Sequence, residues 1–148
     1  MNRNRFKVGA ISAITGVIST LLVGLTASPA SAATTPECNW GRITTLDTPS
    51  GRYLYLPAHT SGLYTCWMAY GTRGDEVRAL QAAINFCYNH IPNLVPDGIY
   101  GDATKAAVRA VQTQHRIHVD GEYGPDTYSA MNFPLYRIVD NRFSGACV

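Results

Sequence analysis

His115 and His118 stand three residues apart, with Asp120 two further on. At that spacing two imidazoles can share a helix face and a carboxylate can help complete a metal set. The neighbours argue against that use. Ile117 and Val119 mark a segment where helical patterning has already stopped, and Asp120 opens an Asp-Gly turn whose backbone claims its carboxylate. Solvated or capping histidines are therefore the expected state, and no metal site is expected. Cys38, Cys66, Cys87 and Cys147 are separated by 28, 21 and 60 residues, without the Cys-x-x-Cys knuckle of a zinc site. Nucleophilic chemistry is equally poorly provided for, since the chain has no Gly-x-Ser-x-Gly elbow. Residues 33–70 hold one histidine (His59), one glutamate (Glu37) and one aspartate (Asp47), with no carboxylate pair at glycosidase-like spacing. Neither catalytic residues nor a cofactor are expected.

The N-terminus supplies the context for the cysteines. Arg3, Arg5 and Lys7 precede an apolar run from Val8 to Leu25, and Ala30-Ser31-Ala32 closes it with the small-x-small pattern of a cleavage point. Residues 1–32 thus read as a signal peptide. Gly9, Gly16 and Gly24 weaken the run as a spanning helix and favour removal over anchoring, so the remaining chain is expected outside the cell or on its wall, with no membrane contact. In an oxidising compartment an even number of cysteines reads as two disulfides, which leaves no free thiol to act as a nucleophile. Three pairings can be drawn. The one expected joins Cys38 to Cys66 around the N-terminal segment and Cys87 to Cys147 to tie the tail back. Beyond the leader nine Lys/Arg face ten Asp/Glu, a net charge of −1. Such a balance gives no electrostatic basis for holding nucleic acid.

Residues 33–70 are rich in Thr, Pro, Gly and aromatics and lack helical periodicity. "RYLYLP" at Arg52–Pro57, after the turn signal Pro49-Ser50-Gly51, suggests one short hairpin in an otherwise irregular, disulfide-closed lead-in. Trp40, Tyr53, Tyr55, Tyr64, Trp67 and Tyr70 either pack this segment onto helices later in the chain or offer a stacking surface for sugar rings. From Gly74 the pattern changes. Val77, Leu80, Ile84, Cys87 and Ile91 recur at three and four, with Asp75 and Glu76 in the first turn. A second stripe runs through Thr104, Ala107, Val108 and Val111 to His115-Arg116, and a third helix can run from Pro125 through Tyr128 and Met131 until Pro134 stops it. Between these helices the sequence repeats: Asp97-Gly98-Ile-Tyr100-Gly101 and Asp120-Gly121-Glu-Tyr123-Gly124 lie 23 residues apart, each with a threonine three residues on, Thr104 and Thr127. Asp-Gly is a turn dipeptide, in which the carboxylate accepts backbone N–H bonds and glycine takes positive φ. The repeat therefore reads as a loop-to-helix entry used twice.

With "GTRGDEVRALQAAI" (71–84), "DGIYGDATKAAVRAVQ" (97–112) and "VDGEYGPDTYSAM" (119–131) in order, the chain resembles the peptidoglycan-binding domain family of the PGBD-like type. That resemblance implies a mainly α fold: a small three-helix bundle over 71–133 with Asp-Gly-x-Tyr-Gly loops, after the irregular lead-in of 33–70 and before a tail, 134–148, tied by a disulfide. It implies secreted, non-catalytic binding of bacterial cell-wall peptidoglycan. The family motif transfers no defined ligand residues, and the aromatic lead-in, Cys87 and Cys147 have no counterpart in it. Stem peptides carry carboxylates and amides, which suit arginine forks, and glycans offer pyranose faces, which suit tyrosine rings. On that chemistry Arg73, Tyr100, Arg116 and Tyr123 are the expected ligand contacts, the tyrosines provided their hydroxyls reach solvent. The alternative is a secreted protein-interaction factor that keeps the bundle as scaffold, and a separate cell-wall hydrolase is the partner this alternative implies.

Overall fold

The computed structural model describes residues 34–45 and 51–148; the leader expected at 1–32, and Asp47, lie outside them. Chain order is β1 (Trp40–Thr45), β2 (Arg52–Ala58), α1 (Asp75–Cys87), α2 (Asp102–His115), α3 (Pro125–Ala130), β3 (Pro134–Arg137) and β4 (Phe143–Cys147). The three helices fall where the sequence places them, except that α1 stops at Cys87, so that Ile91 of its expected stripe lies in the turn that follows. The hairpin expected in the lead-in is β1–β2, but the tail, expected to be plain, adds two more strands, so that the flanks together build one antiparallel sheet in the order β1-β2-β3-β4. Tyr53 pairs with Tyr136 and Leu54 with Leu135, so a strand from before the helices is hydrogen-bonded to one from after them. "Mainly α" therefore becomes α plus sheet, because strand pairing between distant segments satisfies backbone groups that an irregular packed segment would leave buried and unpaired.

Period-two alternation on β2 sends Leu54 and Leu56 into the core, where they join Leu135 from β3 and the α1 stripe of Val77, Leu80 and Ile84. The alternate positions carry tyrosines. Tyr53 stacks on Tyr136 at 5.3 Å between centroids, and Phe86 meets Tyr136 edge-on. Burial pushes the Tyr136 hydroxyl up to about 12, with Tyr53 and Tyr55 adding to the effect. Both expected disulfides are formed. Cys38–Cys66 closes the lead-in, and Cys87–Cys147 ties the end of α1 to β4, with Cα–Cα distances of 5.0 and 6.0 Å. No helix among the described residues is long and apolar enough to cross a membrane.

Glu76, one residue into α1, is buried and takes part in none of the ion pairs among the described residues. Removal from water raises its carboxyl above the ordinary range. A hydrogen bond from its own backbone N–H opposes this, and the charges of Asp75 and Glu37 reinforce it. A folded-state value above the unfolded one means that the folded state holds the proton more tightly. The resulting stability is full below the unfolded value, near pH ~4.3, and is lost as pH rises through the folded one. Glu76→Gln, which keeps the shape and removes the charge, should melt higher than wild type at pH 7, with the difference shrinking towards pH 4 in paired thermal scans.

Candidate functional site

Each repeated loop is pinned by a glutamine that projects from the buried stripe of the preceding helix. Gln81 donates from Nε2 to Asp97 Oδ1 (2.9 Å), Ile99 O (3.2 Å) and Thr104 Oγ1 (3.1 Å), while its Oε1 accepts the Gly98 N–H at 3.0 Å. Gln112 repeats the set, donating to Asp120 Oδ1 (2.7 Å), Glu122 O (2.9 Å) and Thr127 Oγ1 (3.1 Å) and accepting the Gly121 N–H at 2.8 Å. A carboxamide suits this position because it carries donors and an acceptor at one tip. Gly98 and Gly121 have φ of 74° and 76°, and a Cβ on Gly98 would sit 2.8 Å from the Gly74 carbonyl oxygen, so the turn requires glycine on both counts. The Gln81 side chain, then the Ile99 N–H, hold the Asp97 carboxyl below its ordinary range. Burial pushes Asp120 up, but the Glu122 N–H, Gln112 and His118 outweigh it, and the net direction is down.

The hydroxyls of Tyr100 and Tyr123 do not reach solvent, which was the condition for expecting the two as ligand contacts. Both are fully buried, at 0 % exposure, and both serve as wedges. The Tyr100 backbone pairs with Thr72 O and the Gly71 N–H, and the Tyr123 backbone pairs twice with Met68. The aromatic volume drives them inward once the flanking backbone is paired, and burial raises both hydroxyls well above their ordinary value. Their tips differ. Tyr100 Oη donates to Gly121 O at 3.0 Å, which couples the first loop to the second, whereas Tyr123 Oη is buried without a partner among the described residues. Tyr100→Phe should therefore cost about 1–2 kcal/mol by leaving a buried carbonyl unpaired, and Tyr123→Phe should be neutral or mildly stabilising. Chemical denaturation of the two variants side by side checks the asymmetry.

Arg73 and Arg116 are exposed but apart from each other in role. Arg73 bridges by backbone to Ile99 beside the first loop, and its charge contributes to lowering Asp97. Arg116 is the left-handed cap of α2, with φ 56° and its N–H bonded to the last turn. His115 Nε2 meets Tyr88 Oη at 2.9 Å, and His118 Nδ1 faces Asp120 Oδ2 at 3.3 Å. Among the described residues no cluster of three His, Cys, Asp or Glu could hold a metal.

A cleft of about 370 Å³ opens beside the second loop, lined by Trp67, His118, Asp120, Glu122, Pro125 and Asp126. Trp67 comes from the lead-in. The adjacent Cys66 bridge and the backbone bonds Cys38 N–H to Trp67 O (2.8 Å) and Trp67 N–H to Pro36 O (3.0 Å) hold it there, with 38 % of its surface exposed. The equivalent cleft at the first loop, about 240 Å³, is lined instead by Leu94, Val95, Ile99 and Ala103, with Asp97 and Asp102. Neither arginine lines these two clefts. An indole face beside carboxylates can stack on a sugar ring while accepting hydroxyl, amide or ammonium donors. Sequence reasoning named Trp67 among the aromatics for sugar stacking but missed Gln81, Gln112, Glu122 and Asp126. The legible signal was a glutamine next to a core residue in each helix, Leu80-Gln81 and Val111-Gln112, ahead of each Asp-Gly turn.

Residues 73–131 match the family model of a peptidoglycan binding domain. An N-acetylmuramoyl-L-alanine amidase of Bacillus licheniformis is 39 % identical over 61 residues, 41 % of this chain and 17 % of the amidase. The zinc D-Ala-D-Ala carboxypeptidase of Streptomyces albus G is 34 % identical over 83 residues, 54 % of this chain and 31 % of the carboxypeptidase. The chain thus spans less than a third of the length of either relative. A solved peptidoglycan-binding protein from Clostridioides difficile aligns at 25 % identity over 59 % of this chain and 54 % of its own, with a TM-score of 0.42.

Proposed function

We propose that the peptidoglycan-binding-type domain at residues 73–131 attaches this chain to cell-wall peptidoglycan without cutting it, after export. The family match over the whole of the doubled loop-and-helix unit carries this reading. The cleft beside the second loop supports it, because Trp67 offers a ring face and Glu122 and Asp126 offer acceptors for the hydroxyls and amides of murein. The loops themselves act as fixed scaffolding. Their carboxylates and hydroxyls are already spent on Gln81 and Gln112, which favours shape and rim contacts over chemistry at the turn. Modest affinity at each site suffices, since a wall presents ligand many times over.

Co-sedimentation with purified sacculi tests the attachment: the protein alone should pellet. A zymogram cast with the same wall preparation tests the absence of cutting, and clearing by the isolated chain would overturn that half of the reading. A second reading is suggested by the relatives themselves, an amidase and a carboxypeptidase by name: the chain works alongside a separate wall enzyme. In that case it stays in the supernatant until the enzyme is added.

A further inference from the structure

On the reading that the chain binds peptidoglycan, we propose a second contact surface, in the sheet rather than the helical unit: Trp40, Arg42 and Tyr64 form a clamp for carboxylate-bearing stem peptides. The Arg42 guanidinium carbon lies 5.9 Å from the ring centroids of both Trp40 and Tyr64, at the outer edge of cation–π range. Among the described residues no carboxylate pairs with it and no acceptor takes its side-chain N–H groups. Trp40 is 46 % exposed. A guanidinium laid against rings keeps its in-plane donors for a two-pronged bond to a carboxylate, and the neighbouring indole covers the apolar part of the ligand.

The surroundings hold the clamp in place. Tyr64 stacks on Tyr128 (6.4 Å, 13°), which leans on buried Phe133 at 5.7 Å, so the platform is continuous with the core. On its other side the turn after β2 is closed by His59 N–H to Leu63 O and Gly62 N–H to His59 O, both 2.8 Å. Gly62 has φ +90°, and a Cβ there would lie 2.7 Å from Arg42 Nη1. The guanidinium therefore rests against backbone that only glycine leaves bare.

Co-sedimentation of the full chain with native sacculi, and with sacculi whose carboxylates have been amidated by carbodiimide and methylamine, tests the clamp. Arg42→Ala and Trp40→Ala should each weaken binding to native sacculi by roughly five- to tenfold while melting within a few degrees of wild type. Arg42→Lys should fall between them and wild type, since it keeps charge and loses the fork. Amidation should weaken wild type by the Arg42→Ala factor and leave Arg42→Ala unchanged. Wild-type binding by Arg42→Ala, or an equal effect of amidation on both proteins, overturns the clamp while attachment stands. Failure of wild type itself to pellet overturns both.

Discussion

Gln112→Ala is expected to destabilise the fold by about 3–4 kcal/mol, the combined effect of leaving two buried partners, the Gly121 N–H and Thr127 Oγ1, unpaired at about 1–3 kcal/mol each and of freeing two more exposed ones, Asp120 and Glu122 O, to water. The side chain removed satisfies Asp120, the Gly121 N–H, Glu122 O and Thr127 together, from a position that is 2 % exposed. No single neighbour can replace it, because donor and acceptor must arrive at one point. A fall in melting temperature of roughly 10–15 °C should follow for a domain of this size. Gln112→Glu separates shape from hydrogen bonding. It places an oxygen opposite Asp120 Oδ1 and Glu122 O, so the variant should be worst at neutral pH and recover part of its stability as the new carboxyl is protonated. Equal melting of all three proteins across pH would show that the loop is held by its backbone alone.

The two disulfides are expected to separate stability from binding. Closing a loop of 60 residues, as Cys87–Cys147 does, constrains the unfolded chain by about 4 kcal/mol, and closing 28, as Cys38–Cys66 does, by about 3.5 kcal/mol. Double alanine replacement of either pair should lower the melting temperature by a similar amount. Their effects on sacculus binding should differ. Cys66 precedes Trp67, whose ring walls the cleft at the second loop, whereas Cys147 holds β4 against the end of α1, away from both clefts. Below the melting range, loss of Cys38–Cys66 should weaken sedimentation with the wall, and loss of Cys87–Cys147 should not. The reverse pattern would place the binding surface on the tail side of the sheet.

The helices were legible because a stripe at three and four survives in one dimension: Val77, Leu80 and Ile84 are neighbours in sequence order as well as in space. The doubled loops were legible for a similar reason, since every residue of the turn is local. The sheet was not. Leu54 meets Leu135 and Arg52 meets Arg137 across more than eighty residues, and nothing in a tail that begins with Pro134 announces a partner so far back. At the candidate site the tyrosines were chosen for their chemistry, but the paired backbone on either side turns both rings inward. Gln81 and Gln112 were passed over because one polar residue in an apolar stripe reads as a gap. Its meaning lies in an Asp-Gly turn 16 residues downstream in one copy and 8 in the other.

The pairing of β2 with β3 also bears on the order in which a chain exported N-terminus first would fold. Cys38, Cys66 and Cys87 would then reach an oxidising compartment before Cys147, so that for a time three thiols share one native match. Early closure of 38 with 66 would protect Cys87 from mispairing, and until β3 arrives the far edge of β2 would stay open to another chain. Slow arrival of β3 and β4 would therefore lengthen the window for cross-linked dimers, and a thiol isomerase would shorten it.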